Sequence, residues 1–120
     1  MSAHNDFGKY GEAIALSFLK KKGYGILHTN WRYSRAEVDI IAKKNDVIVF
    51  IEVKSRSSQD FGAPEESVSF QKQSLLTKAA NAYLEEYNLD LEVRFDIITV
   101  LKQSDNYTIN HIEDAFFLVE

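Results

Sequence analysis

Ala36-Glu37-Val38-Asp39-Ile40-Ile41 and, further along, Phe50-Ile51-Glu52-Val53-Lys54 set acids and a lysine into runs that are otherwise apolar. Successive side chains of a strand point to opposite faces. Read as strands, the first stretch puts Glu37, Asp39 and Ile41 on one face, and the second puts Glu52 and Lys54 on one face with Phe50. Asn45 and Asp46 between them suit a two-residue hairpin loop. Lys44 then pairs with Val47, Asp39 falls opposite Glu52, and Glu37 falls opposite Lys54. A register shifted by one residue sends Asp39 and Glu52 to opposite faces. The unshifted register is preferred because it groups all four charges.

Side chains directly opposed across two strands have Cβ atoms roughly 4.5–5.5 Å apart. Two carboxylates at that spacing repel each other and are costly to strip of water. A divalent cation between Asp39 and Glu52 removes both problems, and oxygen-only ligands favour Mg²⁺ or Mn²⁺ over zinc. Such an ion suits phosphoryl chemistry, because it binds a phosphate oxygen, acidifies a water and offsets transition-state charge. Lys54 is then placed to orient the attacking water or to stabilise the charge on the phosphoryl oxygens. The same spacing also fits solvent-facing acids with Lys54 in a plain ion pair. Spacing alone leaves both readings open.

Outward from the hairpin, a helix is expected from a cap at Asn5 or Asp6 to about Lys22, ahead of Gly23. Phe7, Gly11, Ile14, Ala15, Phe18 and Leu19 recur at helical spacing and form its core face. Tyr24 to Arg32 reads as a strand, followed by Ala36 to Lys43 and Val47 to Lys54. Ser55 to Glu66 reads as a polar loop with Gly62 and the single proline, Pro64. A second helix begins near Ser67 or Ser69 and ends near Tyr87, burying Leu76, Ala79, Ala80, Tyr83 and Tyr87. Leu91 to Leu101 is an apolar strand and Tyr107 to Ile112 a weaker one. The expected class is α/β, a mixed sheet flanked by helices in the order αβββαββ.

With 120 residues, 45% of them hydrophobic, the chain suits one domain, 1–120, with a single closed core. It has no cysteine, which excludes disulfides and thiolate metal sites and fits a reducing compartment. Met1 to Gly11 has no basic stretch leading into an apolar one, so a signal peptide is not expected. Apolar runs such as Val47 to Ile51 are far shorter than a membrane span, and the expected location is cytoplasmic with no membrane partner. The net charge is −4, unusual for a nucleic-acid partner, but its distribution is uneven. Residues 20–56 carry nine basic side chains against four acids, while 57–120 carry four against twelve. A basic block of this kind makes either a phosphate-attracting surface or a solvated face.

Five motifs occur in order: Gly8-Lys9-Tyr10-Gly11-Glu12, Asn30-Trp31-Arg32, Glu37-Val38-Asp39-Ile40-Ile41, Phe50-Ile51-Glu52-Val53-Lys54-Ser55-Arg56 and Arg94-Phe95-Asp96. From about Phe7 to Phe116 the chain resembles the YraN family, bacterial proteins whose fold is similar to archaeal Holliday-junction resolvases and restriction endonucleases. The resemblance implies a restriction-endonuclease-like sheet in which Asp39, Glu52 and Lys54 match the acid, acid and lysine of the nuclease core. It implies Glu12 as a further acid of the metal site, so that Asp39, Glu52 and Glu12 are the candidate metal ligands. Lys72 resembles a family lysine that reaches the site or a phosphate, with Gln71 beside it as an alternative. Arg32 and Arg56 are candidate phosphate contacts, and structural salt bridges account for them equally well. Trp31 reads as core, Asp96 as a structural partner, and His4, His28 and His111 form no metal-ligand spacing. One departure is Ala36, where the family usually has glycine ahead of E-[IV]-D; alanine tolerates a strand but not a positive φ.

The expected function is therefore a metal-dependent endonuclease that hydrolyses DNA phosphodiester bonds, by analogy at branched DNA. Symmetric cutting of a junction implies a homodimer. The competing expectation is a nucleic-acid-binding or scaffold protein that keeps the nuclease fold without catalysis, and the acidic net charge favours it. A protein-interaction domain with structural acids is the third reading.

Overall fold

Val47 to Ile51 is apolar at every position, a pattern that needs cover on both faces. In a computed structural model, which describes residues 3–57 and 68–116 and the side chains from Gly8 onward, this run forms the middle of the sheet. The elements are α1 (Ala3–Lys21), β1 (Gly25–Tyr33), β2 (Ala36–Lys44), β3 (Val47–Ser57), α2 (Phe70–Glu86), β4 (Glu92–Gln103) and β5 (Asn106–Phe116). The sheet runs β1-β2-β3-β4-β5. Among the described residues only the β3–β4 pair is parallel, and α2 is the crossover that a parallel pair requires. The expected mixed sheet and the order αβββαββ are both present.

The helices cover opposite faces. Leu76, Ala79, Ala80 and Tyr83 of α2 pack with Val38, Ile41, Ile48, Phe50, Phe95 and Ile97. Ala15 and Leu19 of α1 pack with Ile40, Ala42, Val49, Ile51, Ile98 and Val100. Full burial of each large aliphatic or aromatic side chain contributes about 1.5–3 kcal/mol. Two small cores thus share one sheet, where a single core was expected. Among the described residues no helix is long and apolar enough to cross a membrane.

Local chemistry sets the helix ends. The α1 helix closes at Gly23, whose φ of +91° lets the Gly23 N–H reach the Lys20 carbonyl at 3.1 Å and the Tyr24 N–H reach that of Leu19 at 3.0 Å. The α2 helix opens at Ser69, whose Oγ accepts the Lys72 N–H at 3.2 Å.

Several boundaries differ from expectation. The first helix begins at Ala3, ahead of Asn5 and Asp6, because a residue that can cap is also tolerated in a first helical turn near the positive end of the dipole. Strand β3 continues through Ser57 where a loop was expected from Ser55, because parallel pairing with β4 persists to Ser57 opposite Lys102. The rest of that expected loop, including Gly62 and Pro64, lies outside the described residues, as does the cap position Ser67. Strand β5 extends to Phe116. Tyr87 caps α2 at 43% exposure instead of lying in the core. The side chains of His4 and Phe7 lie outside the description.

Candidate active site

The hairpin register is the expected one: Lys44 pairs with Val47, and the ladder runs back to Ile40 opposite Ile51. There it stops, one step short of the Asp39–Glu52 pair. Val38 belongs to the core under α2 and Ile40 to the core under α1, so the alternation of faces along β2 reverses across Asp39. Asp39 and Ile41 therefore do not share the face that unbroken alternation assigns them. The Asp39 Oδ2 accepts the Val53 N–H at 2.8 Å, and a side chain replaces the missing backbone partner.

Where β2 and β3 part, an open cleft of about 920 Å³ lies between them, the Gly8–Glu12 turn of α1 and the first turn of α2. Glu12, Asp39, Glu52, Lys54, Arg56 and Lys72 all line it. Gly11 makes the close approach of α1 possible, since a Cβ there would stand 2.1 Å from the Ser55 Oγ. Glu12 is held by Asn30, whose Nδ2 donates to Oε1 at 2.8 Å. Asn30 adopts a φ of +51° in edge strand β1, a conformation that asparagine tolerates better than most residues. Its place in the cleft was missed in the sequence, where that tolerance was the available signal.

The electrostatics are those of crowded acids. Burial first, then the Glu52 charge, push the Asp39 carboxyl up to about 7 against the pull of the Val53 N–H. Glu12 adds to this and Lys72 opposes it. Burial also raises Glu12, offset in part by Asn30 and reinforced by Glu37. Glu52, with a side chain only 11% exposed, is in an ion pair with Lys72. Among the described residues no three of Asp, Glu and His stand together as a ready cage for a metal. The donors are nevertheless all carboxylate oxygens, and Mg²⁺ is commonly held by one or two carboxylates with water completing its shell. That donor set fits Mg²⁺ or Mn²⁺.

The cleft does not gather every candidate. Arg32 lies outside its lining and pairs at 3.1 Å with Glu37. Both side chains are well exposed, so the pair contributes only about 0–1 kcal/mol. Of the nine basic residues in 20–56, Lys54 and Arg56 line the cleft. Gln71 faces a separate groove of about 300 Å³ beside it. Trp31 packs against the core under α2, edge-on to Tyr83. Ala36 is 4% exposed, pairs with Tyr33 and has no positive φ, so no bulge is needed there.

Asp96 is buried elsewhere, accepting from Arg94 Nε at 2.8 Å, His111 Nε2 at 2.7 Å and the Asp114 N–H at 3.0 Å. Burial raises its carboxyl, but these donors outweigh burial and hold it below its ordinary value. The last of them secures the irregularity in β5 where Asp114 has a φ of +55°. Asp96 is a structural partner, as its sequence context implied.

Residues 11–100 match the family described as "Uncharacterised protein family UPF0102". A UPF0102 protein of Flavobacterium psychrophilum is 53% identical over 117 residues, covering 98% of each chain. One from Christiangramia forsetii is 49% identical with the same coverage. Among solved structures, "Crystal structure of SSO0001" is similar over 97% of this chain at 16% identity and a TM-score of 0.41, and the chain spans 55% of that structure's length.

Proposed function

The chain belongs to the UPF0102 family, the YraN family of the motif resemblance, and from that premise and the cleft we propose that it is a metal-dependent nuclease hydrolysing DNA phosphodiester bonds. One observation carries the reading. Asp39 sits where the β2–β3 ladder ends, and burial with the neighbouring Glu52 charge raises its carboxyl to about 7. Two carboxylates held together in a partly desolvated cleft repel each other, and a divalent cation between them would offset that repulsion more fully than the single Lys72 ammonium on Glu52.

Asp39 and Glu52 are the residues that would hold Mg²⁺ or Mn²⁺, with Glu12 behind them at the α1 wall. When bound, such an ion supplies charge neutralisation at a phosphate and a more acidic water. The chain's own groups do the rest. The Val53 N–H orients the Asp39 carboxylate and Asn30 orients Glu12. Lys54 and Arg56 line the same cleft and offer positive charge to a phosphodiester and to the charge that grows on its oxygens. The fold alone does not select branched over linear DNA.

The first test incubates purified protein with four-way-junction, flap and linear DNA in Mg²⁺, Mn²⁺ or EDTA, beside Lys54→Ala. Cleavage is expected only with metal, reduced at least about 100-fold in the variant, the usual scale for losing one group that stabilises transition-state charge. DNA binding that ignores chelator, without cleavage of any substrate, would instead establish the scaffold reading. The net charge of −4 and the absence of a three-acid cage among the described residues are what favour that second reading.

A further inference from the structure

Lys72 is the one lysine of α2 that lines the cleft, and its ammonium is on a carboxylate instead of in solvent. It stands in the first turn of the helix, one turn after the Ser69 cap, and its Nζ donates to Glu52 Oε1. The two partners are unequally held. Glu52 is nearly covered at 11% exposure, whereas the Lys72 side chain is 46% exposed and tethered only by its flexible stem. The same ammonium also lowers the Asp39 carboxyl, though less than burial and Glu52 raise it.

A divalent cation held by Asp39 and Glu52 would compete for the Glu52 oxygen that Lys72 now engages, and its charge would repel the ammonium. Both effects push in one direction. The mobile partner is the lysine, which can swing to the mouth of the cleft at little cost, while Glu52 is fixed in β3. A released ammonium would remain at the cleft that Lys54 and Arg56 also line, and would add its charge to theirs there.

We propose that Lys72 is a positioning residue that acts as an internal counter-cation, neutralising Glu52 in the metal-free protein and transferred to the DNA phosphate backbone when metal binds. This inference rests on the metal-dependent reading above and adds its regulation. Metal binding and DNA binding are coupled through one side chain, and each ligand raises affinity for the other by the same factor. Glu52 is never left without a positive partner, and the Lys72 charge joins that of Lys54 and Arg56 only in the loaded protein.

The test is calorimetric titration of Mn²⁺, without DNA, into the wild-type protein, Lys72→Met, Lys72→Gln and Lys78→Met. Lys78 is an exposed lysine on the same helix and controls for general loss of positive charge. Removal of the competing ion pair is expected to tighten Mn²⁺ binding about two- to fivefold in both Lys72 variants, the factor to which an ion pair with one well-exposed partner converts. Lys78→Met should leave it unchanged. Equal or weaker binding in the Lys72 variants, with wild-type binding intact, would overturn the counter-cation and leave the nuclease reading standing. A matching gain in Lys78→Met would overturn it too, as a long-range charge effect. Absence of Mn²⁺ binding in every protein would remove the metal reading itself, and this inference with it.

Discussion

Asp39 is held partly out of water beside a second carboxylate, and the direction of its shift fixes how the fold responds to pH. Its carboxyl is raised from 3.8 to about 7, by burial first and the Glu52 charge second. Between about pH 4 and pH 7 the folded chain keeps a proton on Asp39 that the unfolded chain has lost. This contribution to stability is therefore complete below about pH 4 and disappears as pH rises through about 7. Three pH units at about 1.4 kcal/mol each give an upper bound of roughly 4 kcal/mol, and partial exposure reduces it to the order of 2 kcal/mol. Asp39→Asn, which keeps an acceptor for the Val53 N–H, should be more stable than wild type at pH 8 by that order. Urea unfolding should show the gap closing toward pH 4, and a gap independent of pH would mean that another group titrates. Asp96 behaves oppositely, because its donors hold it low and its contribution is lost on acidification. At this scale the acids and lysine of the cleft were legible as residue types in apolar strands. The Asn30–Glu12 hydrogen bond was not, since it depends on one left-handed backbone position.

Helix α1 reaches the cleft because its third turn, at Gly11, lies directly on β3. At Gly11 an added methyl would meet the Ser55 Oγ at 2.1 Å and its Cβ at 3.3 Å. Helix propensity alone makes Gly11→Ala stabilising by about 1 kcal/mol. Overpacking costs about 1–3 kcal/mol, and the contact is short enough that this term should win. Thermal unfolding should therefore find Gly11→Ala less stable than wild type by about 1 kcal/mol. Adding Ser55→Gly should reverse the sign of the Gly11→Ala effect, since it removes the opposing atoms. If Gly11→Ala destabilised the two backgrounds equally, the close contact would not be its cause. Elements were readable to within a few residues wherever local pattern and pairing agree, as at Ser69 and Gly23. They were misread where pairing overrides local polarity: Ser55-Arg56-Ser57 looks like a loop and is a strand because β4 lies alongside it.

For the molecule as a whole, an acidic chain with crowded carboxylates should be stabilised by the ion that those carboxylates fit. Anything that binds the native state alone raises stability by RT ln(1 + [L]/Kd), about 2.7 kcal/mol at one hundred times Kd. Saturating Mn²⁺ should raise the melting temperature of the wild-type protein by several degrees, and EDTA should reverse it. Asp39→Asn should lose most of this rise while folding normally. A rise of equal size in that variant would place the bound ion elsewhere, and none in wild type would mean that no ion binds the native state preferentially. The test reads the whole fold because the site joins residues of α1, β1, β2, β3 and α2.

What the sequence determined by itself is the chain's local grammar: αβββαββ, a hairpin turning at Asn45 and Asp46, and acids embedded in apolar strands. These follow from side-chain period and turn chemistry, which act between near neighbours. The tertiary structure decided that the β2–β3 ladder ends at Ile40 and Ile51, so that Asp39 turns into a gap instead of facing Glu52 across a regular pair. It also decided that Glu12 and Lys72, sixty positions apart in the chain, line one cleft. Neither is a local property. The first depends on Asp39 taking the Val53 N–H in place of a backbone partner, the second on α1 and α2 covering opposite faces of the sheet beside the cleft.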